Sequence, residues 1–215
     1  MIKRGDILSC LDPVATHTMY SLGHNRTVQM ASVLLIIHYN YSRPHILLTK
    51  RSSALRSHSG EICFPGGKFV KDDKSLYYTA IRETKEEVGL DFTEKDILGS
   101  LEAVKTLTSN YIIVPYITVQ DKIPRPRILF NEVQRVLDVP LADILKTIAP
   151  DKIHGYLSVK ETFKFTYKNE VIWGATARIL KQLHDRLHIY KKALSNTKPQ
   201  STTRKELLTR SNCLG

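Results

Sequence analysis

The chain has 215 residues, 42% of them hydrophobic and 25% charged, with a formal net charge of +11. That is the make-up of an ordinary soluble globular chain with residues for one good core, and no apolar run approaches the roughly 18 residues of a membrane span. Three scattered cysteines, Cys10, Cys63 and Cys213, form no CxxC pair, which excludes a disulfide framework and indicates a reducing, intracellular compartment.

Residues 1–26 form an N-terminal extension. Lys3 and Arg4 precede a short apolar patch with no cleavage site, which does not make a secretory signal, and Asp6 and Asp12 do not suit a mitochondrial presequence. At the other end, Cys213-Leu214-Gly215 is neither a peroxisomal ending nor a prenylation box. Mitochondrial, peroxisomal and cytoplasmic locations all stay open.

From residue 28 the pattern becomes that of a folded domain, taken as 27–190. Residues 30–37 are a continuous apolar, β-rich run and predict a strand buried on both faces. A hairpin-like loop at 40–44 leads to a second strand at 45–51, and a short strand at 61–64 delivers the turn Pro65-Gly66-Gly67. A helix follows, beginning at Asp72, Asp73 or Ser75 and ending before Gly89. Further strands are expected at 98–104 and 112–119. The proline-containing loop 121–127 is read as a wall of the active site, and a helix is expected near Pro140, within 137–145. Residues 163–167 form a late hairpin turning at Lys168 and Asn169, and a helix opens at 171 and runs towards Leu187, with Trp173 as a core anchor. Strands on both sides of a central helix argue for an α/β sandwich of mixed sheets. Residues 191–215 carry six basic residues against Glu206 and no aromatic, and are read as a disordered tail. That tail holds much of the excess charge, so a nucleic-acid partner is not expected; the basic charge left on the domain suits a polyanionic small ligand.

The chemistry lies on the helix after the glycines. At 100° per residue, Glu83, Glu86 and Glu87 share one arc, opposite Tyr77, Ala80, Ile81, Thr84 and Val88. Three carboxylates so placed repel one another, and a hard divalent cation, Mg²⁺ or Mn²⁺, offsets this better than Arg82 and Lys85 do. Taken alone the arc reads first as a solvated acidic face. The glycine turn upstream of Arg82 favours the metal, because a turn without side chains lets Gly66 and Gly67 bring backbone groups to the same ion or to a phosphate. Arg51, Arg56 and His58 stand just before that turn, and guanidinium groups suit phosphate.

Arg82-Glu83, Glu86-Glu87, Gly89 and Leu90 resemble the Nudix box, the loop-helix-loop signature of hydrolases that cleave nucleoside diphosphates linked to another group. Three features depart from it. Thr84 stands where an aliphatic residue is commoner, the loop glutamate is replaced by Asp72, Asp73 and Lys74, and the spacing from Gly67 to Arg82 is one residue longer. The longer spacing is typical of the coenzyme A pyrophosphatase branch. That branch has a second signature upstream, matched here by LLTKRSSALRSHSGEICFPGG at 47–67. Asn131-Glu132-Val133 and Ile172-Trp173-Gly174-Ala175-Thr176-Ala177 are also similar to branch motifs, so the resemblance spans about 28–187.

The resemblance implies a Nudix α/β/α sandwich and hydrolysis of the pyrophosphate of coenzyme A or its thioesters to 3′,5′-ADP and the 4′-phosphopantetheine portion. Glu83, Glu86, Glu87 and the Gly67 carbonyl would hold Mg²⁺ or Mn²⁺. Arg82 would fix a box carboxylate, and Glu132 or a box glutamate would take the proton of the attacking water. Arg51, Arg56, His58 and Gly66 would bind substrate. Two alternatives stand beside it: a different nucleoside diphosphate derivative (NADH, a dinucleotide polyphosphate, an mRNA cap), and a catalytically silent module that binds RNA through its basic tail.

Overall fold

The computed structural model describes residues 2–14, 29–54, 58–107, 109–128, 131–154 and 162–197. A short helix, α1 (Arg4–Leu8), precedes the hairpin of β1 (Gln29–Asn40) and β2 (Arg43–Arg51). Its turn residues Tyr41 and Ser42 both take left-handed backbone, φ 46° and 64°, the conformation whose twist matches that of the flanking strands. Two short strands follow, β3 (Ile62–Cys63) and β4 (Gly66–Lys68), and then α2 (Leu76–Val88). Next come β5 (Gly99–Ser100), β6 (Val104–Lys105), β7 (Tyr111–Gln120) and β8 (Val133–Pro140). The chain continues through α3 (Leu141–Leu145), β9 (Ala149–Pro150), β10 (Phe163–Tyr167), β11 (Glu170–Ile172) and α4 (Gly174–Thr197).

The main sheet is mixed: β1 and β7 run parallel through ten register pairs, and the other pairings are antiparallel. β1 is buried on both faces, as its apolar run requires. Leu34 and Ile36 face α2 together with Leu47, Val114 and Tyr116, while Leu35 and Ile37 join Ile46, Leu48, Ile117, Val119 and the α4 residues Leu180, Leu183 and Leu187. This is the expected sandwich, with helices on both faces of a mixed sheet.

One irregularity positions the site. β1 and β2 pair only from Ile37–Ile46 to the hairpin turn, after which they part. β4 takes the vacated place, with Gly66 opposite Val33 and Gly67 opposite Ser32. The Leu34 amide also donates to the Pro65 carbonyl at 2.8 Å. The glycine turn is thus wedged into a split in the sheet.

Several elements differ from the sequence expectation. Residues 133–140 form a strand, β8, which pairs along β2 from His45–Pro140 to Arg51–Val133, and the helix begins only after Pro140. The 98–104 strand is two short pieces, β5 and β6, and residues 171–172 belong to β11, so α4 starts at Gly174 and runs to Thr197. Residues 2–14, placed in the extension, pack on the domain: Ile2, Ile7 and Cys10 are buried with Leu183 and Leu187, and Arg186 donates to the Cys10 carbonyl and pairs with Asp12. The tail from 198 onward lies outside the described residues. Among the described residues, no helix is long and apolar enough to cross a membrane.

Candidate active site

Helix α2 starts at Ser75, the last of the three candidate caps, whose side chain accepts from the Tyr78 amide at 3.2 Å. It ends at Gly89 in left-handed backbone, φ 67°. Leu76, Ala80, Ile81, Thr84 and Val88 are buried against the sheet, while Tyr77 is half-buried. The carboxylate arc opposite them is not evenly exposed. Glu87 is 5% exposed, whereas the Glu86 side chain is about half exposed.

The sheet split brings the two glycines onto this arc. The Gly66 amide donates to Glu87 Oε2 at 3.3 Å. A Cβ on Gly67 would lie 2.5 Å from Glu83 Oε1 and 2.7 Å from Oε2, so only glycine lets the backbone pass the carboxylate so closely. Gly66, at φ 152°, is pressed in turn against the backbone of Ser32 and Val33. Burial pushes the Glu87 carboxyl up to about 8; the Gly66 amide opposes this, and the nearby Glu83 charge adds to it. Burial also raises Glu83, against the pull of Arg82.

Arg82 does touch the box carboxylates, pairing with Glu83 at 2.9 Å and Glu86 at 3.2 Å. Its principal partner is Asp73, bound through Nε at 2.8 Å and Nη2 at 3.0 Å. Asp73 also accepts from Thr79 Oγ1 and the Val70 amide. Burial would raise the Asp73 carboxyl, but these donors outweigh it and hold it below the usual range. Sequence reasoning read Asp73 only as a candidate cap. Its position in the stretch where the loop glutamate is missing was the available signal.

On the other side of the glycines opens a cavity of about 640 Å³, a size suited to a nucleotide-sized ligand. Arg51, His58, Gly66, Gly67 and Glu132 all border it, so five of the expected site residues converge there. Arg51 Nη2 donates to Glu132 Oε2 at 3.1 Å, while its Nε is buried with no hydrogen-bond partner among the described residues. His58 pairs with Glu61 at 3.0 Å, and Arg56 lies outside the described residues. Burial pushes the Cys63 thiol beside them up to about 11.

Two expectations fail here. Trp173 is not a core anchor: it is half-buried, lines the cavity and stacks on His154 with ring centres 4.5 Å apart. The residue belongs to the β11–α4 junction rather than to the interior of a helix, which is why it reaches the cavity. The loop 121–127 does not border this cavity, although the Arg127 amide donates to the Val88 carbonyl at the end of α2 at 2.9 Å. It follows the far end of β7, where Ile123, Pro124, Arg125 and Pro126 border a separate groove with His38 and Asp138. Sequence reasoning missed Lys68, Tyr111, His154 and Arg178, which complete the cavity wall.

The model of the NUDIX domain matches residues 29–159, more than half of the chain. The chain belongs to the Nudix family. It is 33% identical over 183 residues to the uncharacterized Nudix hydrolase NudL of Yersinia pestis, covering 83% of this chain and 88% of that one. It is 32% identical over 156 residues to NudL of Photorhabdus laumondii, covering 68% and 79%. Among solved structures, a MutT/nudix family protein of Enterococcus faecalis gives a TM-score of 0.54 at 12% identity, covering 75% of this chain and 62% of that one. The NUDIX domain of Shewanella oneidensis NrtR, solved with ADP ribose, gives 0.53 at 18% identity, covering 86% and 99%. These structures share the Nudix fold.

Nudix hydrolases are divalent-metal enzymes that cleave the pyrophosphate of nucleoside diphosphate derivatives. The residues here fit a metal. Glu83 and Glu87 converge on the backbone of Gly66 and Gly67, where a Cβ would collide, and their carboxylates offer only oxygen, the choice of a hard cation. Glu86 would join it from the exposed side of the same arc.

Proposed function

We propose that this Nudix protein hydrolyses the pyrophosphate of coenzyme A and its thioesters, releasing 3′,5′-ADP and the (acyl-)4′-phosphopantetheine. The observation that carries this reading is Arg51. It lies in the 47–67 run that resembles the coenzyme A branch, borders the cavity beside Gly66 and Gly67, and keeps a buried Nε without a partner among the described residues. The Arg51 side chain is a quarter exposed on the cavity wall, guanidinium groups suit phosphate, and coenzyme A offers a 3′-phosphate besides its pyrophosphate.

Glu83, Glu86, Glu87 and the Gly67 carbonyl hold Mg²⁺ or Mn²⁺. When bound, the ion neutralises charge developing on the bridging phosphate oxygens and makes hydroxide available near neutral pH. Arg82, itself fixed by Asp73, orients Glu83 and Glu86. Glu132 stands on the cavity wall where it can take the proton of the attacking water; a box glutamate is the other candidate. Arg51, Arg56 and His58 bind the substrate's phosphates.

A second reading is favoured by one observation. The His154–Trp173 stack offers an aromatic face to any base, and the NrtR domain of similar fold was solved with ADP ribose. ADP ribose or a related derivative is therefore the rival substrate. The deciding experiment incubates the protein with coenzyme A and Mg²⁺ and looks for 3′,5′-ADP by chromatography, with dephospho-coenzyme A and ADP ribose as comparators and Glu87→Gln as control. Turnover of coenzyme A that falls at least tenfold without the 3′-phosphate, and is lost in Glu87→Gln, supports the proposal. Equal turnover of dephospho-coenzyme A removes the role given to Arg51 and Arg56. No hydrolysis of any nucleotide, together with salt-dependent RNA binding, would turn the assignment to a silent module.

A further inference from the structure

The far end of the sheet carries a second constellation that the hydrolase site does not use. His38 on β1, His45 on β2 and Asp138 on β8 converge: His38 Nε2 lies 2.9 Å and His45 Nδ1 3.0 Å from the same oxygen, Asp138 Oδ1. The three donor atoms lie within 4.8 Å of one another. We infer that His38, His45 and Asp138 form a second metal site, for a borderline divalent cation of the Zn²⁺ type, independent of the catalytic ion.

The register makes the convergence inherent to the sheet. His38 is directly opposite His45 across the β1–β2 hairpin, and Asp138 is opposite Leu47, two residues along β2, so all three project from one face. Strands hold ligands more firmly than loops do. The histidine side chains are only 9% and 13% exposed, and Asp138, at 44%, opens to the groove of about 550 Å³ beneath the 121–128 loop. That groove leaves room for water or another ligand to complete the coordination.

The donor set decides the ion. Two imidazoles and one carboxylate suit Zn²⁺, Co²⁺ or Ni²⁺, whereas Mg²⁺ takes oxygen ligands and belongs with Glu83 and Glu87. Tetrahedral ligands about 2.0–2.1 Å from an ion are about 3.4 Å apart. The two histidine–Asp138 spacings, 2.9 and 3.0 Å, are a few tenths of an ångström short of that value and all three atoms lie within 4.8 Å, so small side-chain rotations suffice to admit an ion. With an ionised carboxylate as acceptor both rings donate to Asp138; for a cation to bind, each ligating nitrogen gives up that proton to the other nitrogen of its ring or to solvent. An ion here would staple β1, β2 and β8 at the hairpin end and, at free concentration c, stabilise the folded chain by RT ln(1 + c/Kd).

The test uses the untagged full chain with excess Mg²⁺, titrated with Co²⁺ and then with Zn²⁺. The expected result is one equivalent of Co²⁺ with the visible bands of low coordination number, displaced by one equivalent of Zn²⁺, and a Zn²⁺-dependent rise in melting temperature. His38→Gln and Asp138→Asn should each weaken binding by at least about 100-fold, the upper end of what losing an outer-shell partner alone costs. Glu87→Gln, at the hydrolase site, and His188→Gln, in the stacked His184–His188 pair on α4, should leave the bands intact. Absence of the bands, or their survival in His38→Gln and Asp138→Asn, overturns the site; loss in His188→Gln moves it to α4. Melting in EDTA checks that the variants fold, and if His38→Gln does not, the more exposed Asp138→Asn decides.

Discussion

Replacing Gly67 by alanine separates the metal geometry from the fold. Its backbone needs no left-handed conformation, so alanine adds no backbone strain, and the nearest atoms to the new methyl are those of the Glu83 carboxylate, with its oxygens at 2.5 and 2.7 Å. Ordinary contact begins at 3.4 Å, so the Glu83 carboxyl group, whose carbon is the nearest atom, must withdraw by about 1 Å. Glu83 is tethered to Arg82, and a shift of about 1 Å in a catalytic group costs on the order of 100-fold in rate. Gly67→Ala is therefore expected to lower kcat/KM for pyrophosphate hydrolysis about 100-fold and to weaken activation by Mg²⁺, with melting changed by only a few degrees. Activity is followed as release of nucleoside phosphate across a Mg²⁺ series, and stability by thermal unfolding. Activity within threefold of wild type would refute the placement of Glu83 and Gly67 around one ion. A loss of activity that merely followed a collapse in stability would refute the claim that the collision is local.

Thr84 is fully buried, and its hydroxyl has no hydrogen-bond partner among the described residues. Thr84→Val keeps the shape and removes a desolvation cost of about 1–2 kcal/mol, so it should raise the melting temperature by roughly 2–6 °C with activity unchanged; a lower melting temperature means that the hydroxyl is satisfied. Asp73→Asn should cost about 2–3 kcal/mol at pH 7 by taking a charge from the pair with Arg82. Because the folded Asp73 carboxyl is held low, its contribution is complete above the unfolded value of about 3.9 and disappears as pH falls through the folded one. The gap between wild type and Asp73→Asn in urea unfolding should accordingly narrow from pH 7 towards pH 2, and a gap independent of pH would exclude the charge as its cause.

What could be read from the sequence was what local spacing dictates. The α2 helix announced itself through carboxylates at helical spacing, a serine cap and a terminal glycine, and β1 through an unbroken apolar run. β8 was hidden because Pro140 and the leucines at 137, 141 and 145 imitate a helix, while what makes 133–140 a strand is the edge of β2, which lies far earlier in the chain. The 121–127 loop was recognisable as a loop, but which end of the sheet it caps follows from β7 running parallel to β1, a fact of topology that no local pattern carries. The same limit applies to His154, Trp173 and Arg178. They reach the cavity from the second sheet and α4, and although Trp173 lies in a string similar to a branch motif, local spacing does not say that any of them faces a glycine turn in the first half of the chain.

The extra residue between Gly67 and Arg82 takes on a physical meaning once Asp73 is placed. Slack in that loop would leave Arg82 free to choose among three carboxylates, and the orientation of Glu83 and Glu86 would then depend on the ion itself. Instead Asp73 closes the loop on itself through the Val70 backbone, reaches Thr79 one turn into α2, and grips Arg82 at two nitrogens. Arg82 spends its remaining donors on Glu83, Glu86 and the Lys68 carbonyl, which lies next to Gly67. Loop, helix and glycine turn are thus locked to one another by a single guanidinium. Carboxylates so held are organised in advance of the proposed ion, so little binding energy would be spent on arranging them. It follows that Asp73, which touches neither cavity nor carboxylate arc, governs the geometry of both: Asp73→Asn should slow hydrolysis even under conditions where the variant remains fully folded.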